Sequence, residues 1–410
     1  MPAHKKRKKY FSLPQKQKVV FIVIDGMADL PIGNKTPLSE AKKPNMNYFA
    51  ANGLLGETVP VEKKLWDQLV VAGSHVANIG LLGYDPKKMY LARGPIEAVG
   101  ADVPFKEGEL ALRCNFANVD SQMTMVNRRA GRNFQGLEEL ANEINKNVDI
   151  GVPFIFKRTY EHRAVLVIKK ELSDQISSND PHAEGAKTLR IQGLSKEGEE
   201  TAGIVQDFVD KSHWVLKDSS INKIRIKNGS PPANFIIARQ AGNLLPHLDQ
   251  KFVKDHKVKA VVIAENGVMK GTCMLAGFDA VTVPELKHEQ TLKFIFSNIW
   301  ESLDMYDLIY AHIKGPDEYS HDGDFFGKQK EIERVDVFLE KFKNFDGILI
   351  VTCDHITSTK NKRHEHGPVP FLIYGSKMKD KIKSFDEFSA KKGKLGLIAP
   401  SKLWKLVLGK

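Results

Sequence analysis

Short apolar runs, each close to a following acidic residue, dominate the pattern along the chain. Unbroken rather than alternating apolar character is typical of strands that are covered on both faces, as in a parallel sheet. We therefore predict strands at these runs, with the acids at or near the strand ends. The runs are residues 19–24 before Asp25, 308–313 before Asp317 and 348–353 before Asp354, and residues 261–263 and 371–373 are similar.

Helical periodicity lies between these strands. Apolar side chains recur at helical spacing over residues 292–299 and 332–342, and a short helix is expected over residues 76–82. Strands that alternate with helices predict a layered α/β fold with a mostly parallel sheet. In such sheets the ligand site lies beyond the carboxyl ends of the strands. We therefore expect the three acids to share one rim of the sheet.

The middle of the chain has a different character. Residues 81–254 contain two helical stretches, at 137–144 and 204–216, several short strands and loops rich in Ser, Asn, Gly and Pro. The segment also carries many arginines and few strand-end acids. We predict an inserted α+β domain there, between the two parts of the core, residues 18–80 and 255–410.

Composition narrows the class of protein only a little. The chain has 410 residues, of which 42% are hydrophobic and 27% charged, and this suits a globular protein of two domains. The net charge is +11, and five of the positive charges lie together at residues 5–9 in a predicted basic tail, residues 1–17. We interpret the tail as a solvated segment; nucleic-acid binding is the alternative, and short basic runs support it only weakly.

The longest apolar run and the cysteines bear on where in the cell the protein is found. The longest apolar run has six residues, so we predict no membrane span, and no secretory signal opens the chain. The cysteines are far apart and form no CxxC pair, which argues against a disulfide framework or a zinc finger. We expect a cytoplasmic protein. The cysteines are Cys114, Cys273 and Cys353.

Candidate metal ligands follow the predicted strands. Asp317 and His321 are spaced i, i+4, so a helical loop would put both side chains on one face. Carboxylate and imidazole ligands together suit Zn²⁺ or Mn²⁺ better than Ca²⁺. We therefore predict a dinuclear metal site at the rim, with His366 as a rival of His364. The remaining candidates are Asp25, Asp354, His355 and His364.

Ser74 is the candidate nucleophile. The preceding Gly73 allows a sharp turn, and the helix predicted over residues 76–82 would place Ser74 at its N-terminus. Backbone N–H groups at such a position can bind a phosphoryl group. Local sequence alone favours an ordinary serine N-cap.

Short motifs that run in order along nearly the whole chain resemble one family. The chain resembles the cofactor-independent phosphoglycerate mutases of the archaeal type, members of the alkaline phosphatase superfamily. The motifs are Val23-Ile24-Asp25-Gly26, Lys35-Thr36-Pro37-Leu38, Pro44-Asn45-Met46, Gly73-Ser74, Gly83-Tyr84-Asp85-Pro86, Arg93-Gly94, Arg128-Arg129-Ala130-Gly131-Arg132, Asn179-Asp180-Pro181-His182 and the strand-end acids and histidines.

The resemblance implies an alkaline-phosphatase-like core and an isomerase of glycolysis and gluconeogenesis. It would interconvert 3-phosphoglycerate and 2-phosphoglycerate through a phosphoserine on Ser74, with two divalent ions (Mn²⁺, Zn²⁺, Co²⁺ or Mg²⁺) and without 2,3-bisphosphoglycerate. The implied ligands of one ion are Asp317, His321 and His364, and those of the other are Asp25, Asp354, His355 and the Ser74 oxygen.

The arginines of the inserted domain suit such a substrate. Carboxylate and phosphate groups favour planar, bidentate partners, which arginine supplies better than lysine. We expect this domain to clamp the small-molecule substrate, and Asp180 and His182 either to contact it or to orient an arginine. The candidates are Arg128, Arg129, Arg132, Arg163, Asp180, His182, Arg239 and Lys270.

The chain departs from the family pattern at several positions. Asn127 stands where the family usually has an acid, so proton transfer there is in doubt. The residues after Ser74 run His75-Val76-Ala77-Asn78 rather than Asp-Thr-Ala-His, and Gly367 replaces a frequent Asp. The alternatives are therefore a phosphatase or mutase of another phosphate ester, or a non-catalytic relative that binds a phosphorylated ligand or nucleic acid.

Overall fold

The computed structural model of the chain describes residues 17–61, 73–89, 92–249 and 251–408, without the side chain of Arg132. The basic run at residues 5–9 therefore lies outside the described residues. Within the described ranges, no helix combines the length and apolar character needed to span a membrane.

Strands and helices follow one another along the described chain. The strands are β1 Lys18–Ile24, β2 Leu54–Thr58, β3 Glu109–Val119, β4 Met125–Asn127, β5 Phe154–Arg158, β6 Arg163–Glu171, β7 Phe235–Gly242, β8 Ala260–Glu265, β9 Asp279–Val283, β10 Leu308–Ile313, β11 Gly347–Thr352, β12 Ile356–Ser358, β13 Arg363–Glu365, β14 Val369–Tyr374 and β15 Gly396–Ile398. The helices are α1 Pro37–Glu40, α2 Pro44–Asn52, α3 Ser74–Leu81, α4 Arg93–Gly100, α5 Leu137–Asn147, α6 Lys196–Lys217, α7 Ser220–Lys227, α8 Lys251–His256, α9 Val268–Leu275, α10 His288–Ser302, α11 Pro316–Asp322, α12 Phe325–Phe338, α13 Glu387–Ala390 and α14 Pro400–Leu408.

The described residues form two compact units. The first unit draws on the described parts of Met1–Met89, Leu248–Glu265 and Thr272–Lys410. The second unit draws on the described parts of Tyr90–His247, together with Asn266–Gly271.

The first unit is organised around a sheet whose eight described strands run in the order β15-β2-β14-β11-β1-β10-β8-β9. β1 pairs in parallel with β10 and β11, and β8 and β9 continue the parallel arrangement. The predicted α/β fold with a mostly parallel sheet is confirmed. The run at residues 371–373 is different, because β14 is antiparallel to both β11 and β2. An unbroken apolar run reports burial on both faces, and this does not fix strand direction.

β1 lies at the centre of the sheet and is covered on both faces. Residues 19–24 are each at most 1% exposed. Phe21 stacks on Tyr310 of β10, with ring centroids 5.1 Å apart, and lies 4.9 Å from the Trp404 ring of α14. Val20 and Ile22 belong to a cluster that includes buried side chains of α2, α10 and α12. This double coverage accounts for the apolar run that the sequence shows before Asp25.

The apolar stripe over residues 332–342 spans two elements rather than one helix. α12 begins after its cap Asp324, which accepts a hydrogen bond from Gly327 N at 2.8 Å, and it ends at Phe338. A short 3₁₀ helix, Glu340–Asn344, then follows and keeps Phe342 fully buried. The spacing therefore predicts the buried face but not the change of helix type.

The second unit has an antiparallel sheet. β3 pairs with β6 and β7, β6 pairs with β5, and β4 pairs with the end of β3. The two helical stretches predicted from the sequence lie within α5 and α6. α6 begins earlier than predicted, after the cap Ser195, because its first turns are polar and carry no apolar stripe.

Candidate active site

The three acids predicted at strand ends meet at one edge of the sheet in the first unit. β11, β1 and β10 are neighbours, so the residues after their carboxyl ends emerge side by side. Asp25 follows β1 directly, Asp354 follows β11 after one residue, and Asp317 lies in α11 after β10. Asp25 is 4% exposed and Asp354 is 1% exposed. Two carboxylates of the rim are therefore deeply buried, and the third, Asp317, is partly exposed.

Asp317, His321 and His364 form one set of potential ligands, here called the Asp317 group. Asp317 and His321 lie one turn apart on α11, and His321 Nε2 is 3.5 Å from Asp317 Oδ2. His364 belongs to β13, which pairs with β12. Its Nε2 lies 3.3 Å from Asp317 Oδ1 and 3.3 Å from His321 Nε2. The helical spacing and the short β12–β13 pair together bring the three side chains to one point.

Asp25, Asp354, His355 and Ser74 form a second set, here called the Asp25 group. His355 Nε2 lies 3.3 Å from Asp25 Oδ1, 3.4 Å from Asp354 Oδ2 and 3.2 Å from Ser74 Oγ. The other ring nitrogen, Nδ1, is 2.9 Å from Thr357 Oγ1, and this contact orients the imidazole. The nucleophile candidate and the predicted ligands therefore converge on one side of a single histidine.

Gly26 makes this close packing feasible. Its φ is +61°, and an added Cβ would lie 2.6 Å from Thr357 Oγ1 and 2.9 Å from Asp317 Oδ1. Its N–H donates to Asp354 Oδ1 at 3.2 Å. A side chain at this position would be strained by the backbone and would displace a potential ligand, which explains a glycine directly after Asp25.

Ser74 is the first residue of α3, and Gly73 is the N-cap. The N-cap is thus a glycine, which has no side chain to cap the helix. The ordinary N-cap interpretation of Ser74, which the local sequence favours, is therefore wrong. The hydroxyl points instead to the His355 ring, at the helix end where backbone N–H groups favour an anion.

The charges of the rim fit a bound cation. Burial, and then the carboxylates of Asp354 and Asp317, raise the pKa of Asp25 well above its usual range. Asp25 Oδ1 has no hydrogen-bond partner among the described residues. Burial lowers the pKa of His355 to about 4, which leaves a neutral ring with a free lone pair. Buried oxygen and nitrogen donors of this kind suit divalent metal ions.

His312 and Glu265 are site residues that the sequence analysis missed. His312 is fully buried in β10, and its Nε2 lies 3.9 Å from both Asp25 Oδ2 and Asp354 Oδ2. Its Nδ1 is 3.9 Å from Glu265 Oε2, at the end of β8. Burial lowers the pKa of His312, but Asp354 and Glu265 outweigh burial and raise it to about 10. A histidine inside an otherwise apolar strand was the signal available in the sequence.

The described residues contain two sets of three titratable groups whose ligand atoms lie within 4.8 Å of one another. One set is Asp317, His355 and His364, and the other is Asp25, His312 and Asp354. His366, the rival considered for His364, is in neither set among the described residues. The geometry therefore favours His364.

Asp180 orients two of the predicted arginines in the second unit. The side chain of Arg128 binds it through both oxygens, at 2.9 Å and 2.7 Å, and Arg239 Nη1 donates to Oδ2 at 2.8 Å. The His182 N–H adds a bond to Oδ1 at 2.9 Å, and the His182 ring is exposed. The Asp180 carboxylate is thus saturated, and this position orients arginines rather than offering a free acceptor.

A second arginine cluster was missed, although one of its members, Arg93, lies in a motif quoted above. Arg113 of β3 and Arg93 of α4 flank the buried Glu97, with Nε–Oε1 distances of 3.7 Å and 2.8 Å. Arg113 Nε has no hydrogen-bond partner among the described residues. Burial, and then the charges of Arg93 and Arg239, lower the pKa of Arg113 well below its usual range. The cluster therefore carries an excess of positive charge.

The other substrate candidates lie in varied surroundings of the second unit. Arg163 Nη1 pairs with Glu161 at 3.0 Å. Lys270 is 3% exposed and its Nζ lies 2.5 Å from Asp102 Oδ2. The side chain of Arg132 lies outside the described part of the chain.

Asn127 borders a cavity of about 290 Å³. Its Oδ1 accepts hydrogen bonds from the backbone N–H groups of Arg129 at 2.9 Å and Gly131 at 2.8 Å. An asparagine and an aspartate can both provide this acceptor. Asn127, which stands where the family usually has an acid, therefore keeps the hydrogen bonds to the backbone of residues 129–131. The cavity is lined by Asn127, Arg128, Arg129, His182 and Glu184.

A family profile and curated relatives of this chain carry one name. A family profile described as 2,3-bisphosphoglycerate-independent phosphoglycerate mutase matches residues 50–222. A protein of that name from Methanosphaera stadtmanae is 39% identical over 393 residues, which cover 92% of this chain and 94% of the relative. Another from Methanothermobacter thermautotrophicus is 38% identical and covers 95% of this chain and 97% of the relative.

Solved structures are similar over nearly the whole chain. The cofactor-independent phosphoglycerate mutase from Thermoplasma acidophilum is 30% identical, with a TM-score of 0.61 over 96% of this chain and 99% of that chain. A structure from Pyrococcus horikoshii is 27% identical, with a TM-score of 0.76 over 96% of this chain and 97% of that chain.

Proposed function

Since the chain belongs to the family of 2,3-bisphosphoglycerate-independent phosphoglycerate mutases, we propose that Ser74 carries the phosphoryl group during interconversion of 3-phosphoglycerate and 2-phosphoglycerate. The observation that carries the proposal is the position of Ser74 Oγ, 3.2 Å from His355 Nε2 and at the start of α3. This is an isomerase reaction of glycolysis and gluconeogenesis.

The two ligand groups would hold two divalent ions. The Asp317 group would hold one, and the Asp25 group would hold the other through its two carboxylates, His355 and Ser74 Oγ. Bound ions of this kind lower the pKa of a coordinated hydroxyl and neutralise charge that develops on a phosphoryl group. The buried Asp25 oxygen without a hydrogen-bond partner supports this assignment.

In the first half of the reaction, Ser74 Oγ forms a bond to phosphorus while the bond from phosphorus to the C3 oxygen of the substrate breaks. The Ser74 hydroxyl loses its proton and the released C3 oxygen gains one. In the second half, the C2 hydroxyl oxygen attacks the same phosphorus and loses its proton, while the bond from phosphorus to Ser74 Oγ breaks and Ser74 regains a proton. Protons and phosphoryl group balance over the cycle, so no bisphosphorylated cofactor is required.

The arginines of the second unit would bind the anionic groups of the substrate. Arg128 and Arg239 are oriented by Asp180, and Arg113 offers a buried N–H without a partner among the described residues. Charge-assisted, planar donors of this type bind carboxylate and phosphate groups strongly. Arg129, Arg163 and Lys270 remain candidates for the same role.

A cytoplasmic location is part of the same proposal. Cys114, Cys273 and Cys353 are all buried and free, which is typical of a reducing compartment.

The experiment is a coupled assay on 3-phosphoglycerate without 2,3-bisphosphoglycerate, after EDTA treatment and after addition of Mn²⁺ or Co²⁺. We expect activity only with metal, and we expect Ser74→Ala to reduce kcat to a trace. Acid quenching followed by peptide mass spectrometry should find phosphate on Ser74. Ser297→Ala is the control, because Ser297 lies on α10 and bonds only to Glu301 in the described contacts. Substantial activity of Ser74→Ala, or phosphate on another residue, would refute the assignment.

A further inference from the structure

Asn78 connects the start of α3 with one of the proposed metal ligands. Its Nδ2 donates to the Ser74 carbonyl at 2.7 Å and to Asp354 Oδ2 at 3.1 Å. Its Oδ1 accepts from the Tyr310 hydroxyl at 2.6 Å. Both Asn78 and Tyr310 are fully buried. This contact set belongs entirely to the first unit.

Tyr310 holds the Asn78 amide from the side opposite to Ser74 and Asp354. The Ser74 carbonyl and the Asp354 carboxylate are acceptors, so the amide nitrogen must face them. The phenol then has only the amide oxygen to face, and it must donate. The phenol thus adds a third hydrogen bond at the other end of the amide and holds the amide in the orientation that the two acceptors require.

The bond to Asp354 falls on Oδ2, the oxygen that faces the His355 ring. Oδ1 of Asp354 accepts from Gly26 N at 3.2 Å and His355 N at 3.0 Å, so backbone N–H groups occupy it. Oδ2 faces His355 Nε2 at 3.4 Å. The Asn78 amide is therefore the neutral donor that sets the position of the oxygen available to a cation.

We infer that Tyr310 and Asn78 are positioning residues for metal binding and phosphoryl transfer. The Tyr310 phenol holds the Asn78 amide in place. The amide in turn sets the position of Asp354 Oδ2 relative to the first turn of α3, where Ser74 lies. This inference rests on the proposed function. Partners of this kind, which hold the ligands of a metal, typically change metal affinity by about 10–100-fold when they are removed.

Tyr310→Phe tests the inference with little change in packing. The ring keeps its stacking on Phe21, at 5.1 Å, and only the hydroxyl is lost. We expect the affinity for Mn²⁺, measured by calorimetric titration of the metal-free protein, to fall about tenfold at one of two sites. We also expect kcat for 3-phosphoglycerate to fall and KM to stay the same, because neither residue belongs to the arginine clusters.

A double-mutant cycle tests whether Tyr310 acts through Asn78. Once Asn78→Ala has removed the amide, adding Tyr310→Phe should weaken Mn²⁺ binding no further. Tyr374→Phe is the matched control, since its hydroxyl donates to the Lys343 carbonyl at 3.0 Å and makes no hydrogen bond to a site residue within the described part of the chain. It should keep the wild-type affinity.

Unchanged Mn²⁺ affinity in Tyr310→Phe would overturn the inference, and so would additive losses in the double variant. If Asn78→Ala does not fold, Tyr310→Phe alone decides the question. The Mn²⁺ affinity is measured without substrate and does not depend on catalysis. A wild-type protein that binds Mn²⁺ but lacks mutase activity would therefore refute the proposed function, and the test of Tyr310 and Asn78 would still be valid.

Discussion

Replacing Asp180 with asparagine would remove the negative charge that holds two arginines together in the second unit. The carboxylate accepts three guanidinium hydrogen bonds of 2.7–2.9 Å, from Arg128 and Arg239. Asparagine has the same shape, but in either orientation its Nδ2 would face two donors, which are Arg128 Nη2 and Arg239 Nη1 on one side or Arg128 Nε and His182 N on the other. Two of the four hydrogen bonds would be lost, and the like charges of Arg128 and Arg239 would remain side by side.

The size of the expected destabilisation follows from how deeply these three side chains are buried. The Asp180 side chain is fully buried, whereas those of Arg128 and Arg239 are 25% and 17% exposed. Removing one partner of a buried ion pair costs about 3–5 kcal/mol, and partial exposure of the arginines screens part of this. We therefore expect Asp180→Asn to lower the free energy of unfolding of the second unit by about 3 kcal/mol. KM for 3-phosphoglycerate should rise about tenfold, because charged groups of this kind contribute about 1.5–3 kcal/mol per hydrogen bond.

The loss of stability caused by Asp180→Asn should depend on pH, and it should become smaller at acidic pH. Burial raises the pKa of Asp180, but the hydrogen bond from Arg128 and the charge of Arg239 outweigh burial and hold it below 3.8. A carboxyl group whose folded pKa is depressed contributes stability above its unfolded pKa, and that stability is lost as the pH falls through the folded value. The difference between wild type and Asp180→Asn should therefore be constant at neutral pH and shrink below pH 3.8.

Hydrogen exchange measured by mass spectrometry is the appropriate assay, because a chain of two units need not unfold in one step. Peptides from β7 report on the second unit, and peptides from β1 serve as an internal reference. Asp207→Asn is the control: Asp207 pairs with Lys211 at 2.8 Å on the exposed face of α6, and its loss should cost less than about 0.5 kcal/mol. An Asp180→Asn effect below about 1 kcal/mol, with unchanged KM, would refute the reasoning.

Two further predictions concern the same unit. Asn127→Asp should change kcat by less than about twofold, because a carboxylate oxygen can accept the same two backbone N–H groups. A tenfold gain in the coupled assay would instead assign proton transfer to this position. Arg113→Met should leave thermal stability unchanged or higher, since Arg93 and Arg239 repel Arg113, while the stabilising effect of added phosphate should fall. Equal phosphate stabilisation of wild type and variant in thermal unfolding would contradict a role in anion binding.

Much of the fold, and the grouping of the candidate ligands at one rim, could be predicted from the sequence because the relevant signals are local. The apolar run of β1 reflects burial on both faces, and Asp25 stands directly at its end. The i, i+4 spacing of Asp317 and His321 places both on one face as soon as α11 forms. Such patterns depend on strand and helix periodicity, which neighbouring residues impose on one another.

Contacts between residues on neighbouring strands of the sheet could not be predicted from local sequence patterns. His312 reaches Asp25 and Asp354 because β10 pairs with β1 in a register that places His312 beside Val23, and no local pattern specifies that register. The amide of Asn78 meets Tyr310, 232 residues away in the chain, through hydrogen bonds that exist only after both are buried. The chemical groups of a side chain follow from the residue type in the sequence. Its contact partners, and the charge state that they impose, arise from packing between distant segments.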